Sequence, residues 1–534
     1  MEIGAIRGHK VIGSRIVLSM LAGFYPAVFF LSNNWYIFSF PQGTVLVIGA
    51  SLISLIILLT ASFLFECIIK IVFRDKFGRP ELSENRSFLF DSILAFLSLL
   101  LCIYLTRNTL ASLQSLKILF YCLIGLVVIF FTWKTHRNGP SLLMLFLTVL
   151  SSLAILGFLS NVYIRSHVPV EEWSALNKPI YDQIKFEKSN NVYLIISEAY
   201  SSKRALEAVY DIDNNEFYSE LYKLGFRINH NHFSNYNHTL ASLPSLFSME
   251  HHYGRINIGN FESVGGRRLL EADVYNPVID IFRSNHYQIQ YLHNVSTLIP
   301  NGAKVDYCIP PPSLTYGLEI FFTDQDITEP TVFERDKAEN LLAIKKQITF
   351  SSHQKESFFS FLYVSFPGHS PSRLKARSKE TINKKLEEFR VGYHKKIKEA
   401  NEKVIDLIAH IIANDPESII VLIGDHGSWG YRLKEDGKGV EISNGLFILD
   451  RFGVLAGIRG PEELNLLVEN EIIKSHVNLF RYLFFYLSQD EKILQTTSPD
   501  DSYEALYLMA VKNGKILDNF IKIMAPEESG KYNP

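Results

Sequence analysis

The sequence predicts an α-helical transmembrane domain of five spans, followed by an α/β domain with a mainly parallel central sheet. Three observations predict it. The first 160 residues are dominated by Leu, Ile, Phe, Val and Ser, whereas the rest has the mixed polarity of a globular domain. Five apolar stretches recur within the first part. In the second part, short apolar runs alternate with helical patterns, and a polar residue follows each run. Lys and Arg number 53 against 55 Asp and Glu. This near balance excludes wholesale polyanion binding, and no nucleic-acid partner is expected.

The apolar stretches are Ile16–Ser32, Thr44–Phe65, Phe88–Leu105, Ile118–Thr132 and Ser141–Leu159. A helix needs about 20 apolar residues to cross the hydrocarbon layer. Four of the stretches come close, and the fourth in order gains length from Leu110–Leu116 if Lys117 snorkels. Lys and Arg placement sets the orientation. Arg7, Lys10 and Arg15 precede the first span, Lys70, Arg74, Lys76, Arg79 and Arg86 follow the second, and Lys134 and Arg137 follow the fourth. The N-terminus is therefore expected in the cytoplasm and everything after the fifth span outside. Of the four cysteines, three (Cys67, Cys102, Cys122) lie in or beside apolar segments. Cys308 alone belongs to the globular part, so no internal disulfide is expected there.

Residues 1–160 thus read as the transmembrane domain, 161–190 as a juxtamembrane linker, 191–500 as the catalytic domain and 501–534 as a partly disordered tail. Four runs have the character of fully buried strands: Val192–Ile196, Ile289–Leu292, Phe358–Val364 and Ile419–Ile423. Glu198, His293, His369 and the pair Asp425–His426 follow them. Ligands of open α/β sheets bind beyond the carboxyl ends of the strands. Taken singly, each of these residues has a bland reading, as a surface carboxylate or as part of a Gly-rich turn. Their convergence on one edge points to a site.

Carboxylates with imidazole and no thiolate suit Zn or Mn. Glu198, Asp425 and His426 supply three ligands and leave a position open, as catalysis requires. Thr239 lies where a loop enters a helix. Its hydroxyl reads as an N-cap or, beside a cation, as a nucleophile whose acidity the metal raises.

These residues resemble the sulfatase-like branch of the alkaline phosphatase superfamily. The motifs are Asn191–Glu198, the Thr239 segment, Phe366-Pro-Gly-His-Ser-Pro371, Ile420–Gly427 and Ser475-His-Val-Asn-Leu-Phe-Arg481. With five spans in front, the chain resembles lipoteichoic acid synthases and phosphoethanolamine transferases. The resemblance implies an alkaline-phosphatase/sulfatase-like fold in a bacterial plasma membrane. It also implies one divalent metal held by Glu198, Thr239, Asp425 and His426, with Thr239 as the residue that becomes phosphorylated. His369 and His293 would be substrate-binding. A membrane phospholipid would be the donor and an envelope glycan or glycolipid the acceptor.

The chain also departs from its relatives. Thr239-Leu-Ala-Ser-Leu stands where sulfatases carry the Cys or Ser of their formylglycine motif, and Asn237-His-Thr239 replaces the Gly-Lys-Thr of lipoteichoic acid synthases. The leading expectation is a transferase of a phosphoethanolamine- or phosphoglycerol-type group. A hydrolase (phosphodiesterase or atypical sulfatase) and a non-catalytic member assisting polysaccharide assembly are the alternatives.

Overall fold

The computed structural model describes residues 2–34, 40–72, 139–166, 174–252, 266–295, 303–309, 333–368, 379–428 and 445–505. It also describes isolated positions between these and short strands within 511–524. The chain divides into two compact units, Met1–His167 with Pro312–Glu329, and Val168–Pro311 with Pro330–Pro534.

In the first unit, helix α1 (Glu2–Asn34) packs against both α2 (Phe40–Val72) and α3 (Gly139–Ser166). The α1–α2 crossing is close because Gly23 faces Ala50, where an added Cβ would lie 2.3 Å from the Ala50 carbonyl oxygen. Ser54 Oγ donates to the Ser19 carbonyl at 2.8 Å across the same crossing. Small residues and one interhelical hydrogen bond are how helices associate where no hydrophobic force separates them from their solvent. Among the described residues, two segments, Arg15–Ser32 and Phe40–Ala61, are long and apolar enough to cross a membrane, and Leu145–Ser160 is a shorter apolar helix. Ile56 is 65% exposed, and Ile48, Leu52, Phe63, Leu153 and Leu156 also face outward, a surface that hydrocarbon solvates and water does not. The expected span Phe88–Leu105 is described only at residues 94, 97, 98 and 101, and Ile118–Thr132 lies outside the described residues.

The second unit is built on a seven-stranded sheet of order β2-β7-β6-β1-β5-β3-β4. Its strands are β1 (Val192–Ser197), β2 (Arg227–Ile228), β3 (Gln288–His293), β4 (Tyr307–Ile309), β5 (Phe358–Val364), β6 (Ile419–Gly424) and β7 (Ala456–Arg459). The run β6-β1-β5-β3-β4 is parallel, whereas β7 runs antiparallel to both β6 and β2. The sheet is therefore mixed at one edge, where a mainly parallel sheet was expected. Strands β1, β5 and β6 are buried at every residue, as strands covered on both faces must be.

Alternation then assigns the faces. Phe247 of α4 (Thr239–Ser248), Phe282 of α5 (Pro277–Ser284) and Phe480 of α6 (His476–Ser488) pack edge-on or stacked over Phe359. Phe247 also covers Tyr291 and Phe361. The opposite face carries Tyr193, Ile195, Leu362, Val364, Ile420 and Leu422 in a single cluster with Leu206, Leu221, Ile348 and Tyr393 of the covering helices. Beyond Asp500, β8 (Ser502–Ala505) pairs with β11 (Phe520–Met524) and β9 (Val511–Lys512) with β10 (Lys515–Ile516), all antiparallel. The tail expected to be partly disordered thus carries strands, each too short to announce itself by alternation. Cys308, on β4, is in no disulfide among the described residues.

Candidate active site

Ser197 pairs with Val364 on one side and Gly424 on the other, so β1, β5 and β6 end level. Glu198 and Asp425 each lie one residue past that row. Carrying the period-2 alternation one step further puts both on the face covered by α4. Loop geometry then locks them. Ala199 adopts the left-handed conformation (φ 56°) and aims its N–H at Asp425 Oδ1, 2.8 Å away. The His426 N–H donates to the same oxygen at 2.9 Å. On the far side, Gly368 (φ 64°) donates its N–H to the Glu198 carbonyl at 3.0 Å.

The glycines flanking Asp425–His426 are there for space. A Cβ on Gly427 would sit 1.9 Å from the Asp450 carbonyl oxygen, and one on Gly424 would sit 2.3 Å from that of Tyr200. Turn propensity alone is not the reason for the Gly-Asp-His-Gly sequence.

Thr239 is the first residue of α4, with His238 as the extended N-cap, so its hydroxyl is not itself the cap. Its Oγ1 donates to Asp425 Oδ2 at 2.7 Å and lies 3.2 Å from His426 Nε2. His426 Nδ1 stands 2.7 Å from the Gly427 carbonyl, which places the ring proton on Nδ1 and leaves the Nε2 lone pair toward Thr239. Burial lowers the His426 pKa and keeps the ring neutral. The His238 ring lies parallel to that of His426, centroids 6.3 Å apart.

The loop that delivers Thr239 is stitched to distant segments. The Phe233 N–H donates to the Lys474 carbonyl, and buried Asn235 accepts from the Val477 N–H at 2.7 Å. Ser475–Arg481 therefore serves as an anchor of the Thr239 loop. Its His476 sits at the start of α6 with Nδ1 3.1 Å from Ser242 Oγ.

Glu198 is partly buried, and its pKa is raised to about 7, first by desolvation and then by the charge of Asp425; Lys337 and Lys396 oppose this from a distance. Two neighbouring carboxylates, that of Asp425 fully buried, call for a cation. Atom spacing provides a test of fit. Asp425 Oδ2 and His426 Nε2 are 3.5 Å apart, and each has Thr239 Oγ1 at the shorter distances above. Ligands about 2.0–2.2 Å from a tetrahedral zinc stand roughly 3.3–3.6 Å from one another. The triangle of Asp425, His426 and Thr239 fits, tightened on one side by the hydrogen bond. Among the described residues, no three His, Cys, Asp or Glu side chains form a ready metal cluster. The third corner is a hydroxyl.

His293 ends β3, fully buried, with its pKa lowered to about 3 by burial. It lies against Phe361 and Tyr363, ring centroids 4.9 and 6.0 Å away. His369 lies outside the described residues. Tyr363 is the site residue that the motifs do not flag. It pairs with Ile196 and His293 on the α4 face of the sheet, the face that also carries Glu198 and Asp425. The available signal was a tyrosine near the end of an all-apolar strand, whose hydroxyl must find a partner at the strand's end.

No family model matches the chain, and no curated protein matches it. Solved structures do. The lipooligosaccharide phosphoethanolamine transferase EptA of Neisseria meningitidis is 13% identical over 89% of this chain and 95% of its own, with a TM-score of 0.35. The periplasmic domain of EptC from Escherichia coli in complex with Zn is 12% identical over 62% of this chain and 93% of its own, TM-score 0.37. The lipoteichoic acid synthase LtaP of Listeria monocytogenes is 14% identical over 54% of this chain and 72% of its own, TM-score 0.32. The resemblance read in the motifs recurs among these structures. Likenesses at this level leave substrate and chemistry to the chain's own residues.

Proposed function

We propose that this chain is a membrane-anchored, metal-dependent transferase. It would move a phospho-alcohol group, of the phosphoethanolamine or phosphoglycerol type, from a phospholipid to an envelope glycan or glycolipid through a phosphothreonine at Thr239. One observation carries the reading: a threonine hydroxyl at a helix N-terminus held between a buried carboxylate and a neutral imidazole. A divalent cation, Zn or Mn, bound by Glu198, Thr239, Asp425 and His426, supplies the charge that makes a hydroxyl acidic enough to attack at neutral pH.

Thr239 gives up its proton toward Asp425 and attacks phosphorus. The bond from Oγ1 to phosphorus forms, the bond from phosphorus to the diacylglycerol oxygen breaks, and that oxygen takes a proton. In the second half, an acceptor hydroxyl attacks the same phosphorus and restores Thr239. The N–H groups of Thr239 and Leu240 precede the first helical hydrogen bonds of α4, which run from Ala241 and Ser242 to the His238 carbonyl. They are placed to receive phosphate oxygens. His369 and His293 are assigned to substrate binding. The anchor is assigned five spans within residues 1–160 with the N-terminus cytoplasmic, joined by 161–190 to a catalytic domain over 191–500. Anchoring favours transfer because it holds the site at the layer where lipid donors lie.

The test supplies phosphatidylethanolamine and phosphatidylglycerol, each labelled in the head group, to the full chain with envelope glycan. Diacylglycerol together with labelled glycan is expected, whereas label only in free phospho-alcohol would make the chain a hydrolase. Thr239→Ala is expected to abolish turnover while the protein keeps its bound metal. Full activity in that variant would remove the nucleophile.

A further inference from the structure

Helix α2 has a glycine that its packing on α1 does not explain. Gly43 lies against Leu31 of α1, where an added Cβ would stand 3.2 Å from Leu31 Cδ2, and Ala50 lies against Gly23. These two positions, seven residues apart, share the face of α2 that meets α1. Gly49 stands about 100° round the helix from Ala50. What it meets is Leu318, since a Cβ on Gly49 would lie 2.7 Å from Leu318 Cδ1 and 2.9 Å from Cδ2. Glycine weakens a mid-helix position relative to alanine, so the room it leaves for Leu318 is its reason. Phe321, three residues on and 7% exposed, meets Phe30 of α1 edge-on with ring centroids 5.4 Å apart. Leu318 and Phe321 are both helical, and their spacing puts them on one face.

The segment that carries them is interpolated in the chain. Pro312–Glu329 belongs to the first unit, although Pro311 before it and Pro330 after it belong to the second. The chain therefore passes between the units three times, and residues 161–190 are not the sole tie. Helix rise gives the depth of the contact. Leu31 is one residue from the end of the apolar segment Arg15–Ser32, and Gly43 is level with it. Gly49 lies six residues further along α2, about 9 Å deeper. Its neighbours Ile48 and Leu52 are exposed, so Leu318 sits on a side of α2 that hydrocarbon covers. Elements lying in the membrane interface bury their apolar faces to about 5–10 Å, and this contact reaches that depth.

We propose that Pro312–Glu329 is a second membrane anchor, inserted into the extracytoplasmic leaflet with Leu318 and Phe321 seated on α2 and α1 and Leu314 turned to the acyl chains. This rests on the membrane placement of α1 and α2 proposed above and is independent of the chemistry at Thr239. Leu314, four residues before Leu318, is 58% exposed. The segment has no Lys or Arg and carries Glu319, Asp324, Asp326 and Glu329. It offers anionic head groups no attraction, so its partner is the hydrocarbon that every bilayer lipid supplies. The second unit is thereby held to the membrane at Pro311 and Pro330 as well as at Val168.

The test uses the full chain with its four cysteines replaced by serine, in vesicles of phosphatidylcholine with and without phosphatidylglycerol. Leu314→Cys, or Ile56→Cys on α2 as the reference, carries an environment-sensitive fluorophore. Nitroxide on the lipid acyl chain is expected to quench the two sites to within roughly a factor of two of each other. Neither phosphatidylglycerol nor salt should alter this, and iodide in the water should quench neither site. Quenching at Ile56 with none at Leu314 overturns the insertion alone. An unquenched Ile56 removes the membrane placement of α2 and the insertion with it. Quenching at Leu314 that requires phosphatidylglycerol or fades in salt overturns the apolar mode of attachment.

The seat has its own test. Gly49→Cys combined with Leu318→Cys is expected to form a disulfide on oxidation in the vesicles, read as a linked peptide by mass spectrometry; no link overturns the seat. Should the cysteine-free chain fail to fold, the native protein is photolysed in vesicles containing phosphatidylcholine with a diazirine on its acyl chain. Lipid adducts within 312–329 are expected, and adducts on α2 with none there overturn the proposal.

Discussion

Three of the buried histidines, His232, His252 and His293, make the second unit sensitive to mild acid. Burial lowers the pKa of His252 and His293 to about 3 and that of His232 to about 4. An unfolded histidine takes up its proton near pH 6.5. Because the folded values are depressed, the folded state stays neutral where the unfolded chain charges. Stability is full above pH 6.5 and drains away as pH falls toward 4 and then 3. For each histidine, going from pH 6.5 to 5.5 removes about 1 kcal/mol, so the three together remove about 3 kcal/mol. That is a large share of the roughly 5–15 kcal/mol that holds an ordinary domain together.

His293 isolates the effect. Among the described residues its Nε2 has no hydrogen-bond partner, and its ring lies against Tyr291, Phe361 and Tyr363. His293→Leu thus removes a proton acceptor without orphaning a donor. Urea unfolding of the full chain in detergent, followed by near-ultraviolet circular dichroism at pH 7.5, 6.5 and 5.5, measures the loss. The variant should lose about 1 kcal/mol less than wild type over the last step. Equal losses in the two proteins would refute the reasoning, because they would mean that His293 titrates alike in both states.

Gly427→Ala forces a methyl to 1.9 Å from the Asp450 backbone oxygen, which no rotamer relieves. It should cost about 1–3 kcal/mol or more by thermal melt and displace His426, with transfer lost in proportion. Arg481, fully buried, donates to Glu250 at 2.9 Å and to the Tyr181 hydroxyl at 3.1 Å. Arg481→Met takes the guanidinium from buried Glu250, which keeps the Asn177 and Ser498 donors, and should destabilise by about 3–5 kcal/mol, whereas Arg481→Met combined with Glu250→Gln should recover part of it; a melt unchanged in the single variant would contradict this.

The legible features were those that local chemistry enforces. The four runs taken as strands became β1, β3, β5 and β6 within a residue or two of the expected ends, because a strand buried on both faces has to be apolar throughout. Glu198 and Asp425 met because level strand ends put them on one face, whereas His369 lies outside the described residues. Strands β2, β4 and β7 escaped notice at two, three and four residues, too short for any period to register. Tyr363 was hidden as one more aromatic among Phe358, Phe359 and Phe361, and only the pairing register reveals where its hydroxyl ends. Asn235 was hidden for a different reason. Its partner, the Val477 N–H, is 242 positions away.

That last bond bears on how the protein matures. Glu198 and Thr239 emerge early from the ribosome and Asp425–His426 later, yet the ties that hold the Thr239 loop, to residues 452–454 and then to 474–477, are made only after the whole proposed ligand set. A chain halted between His426 and Phe452 would hold that set with the loop lacking both ties.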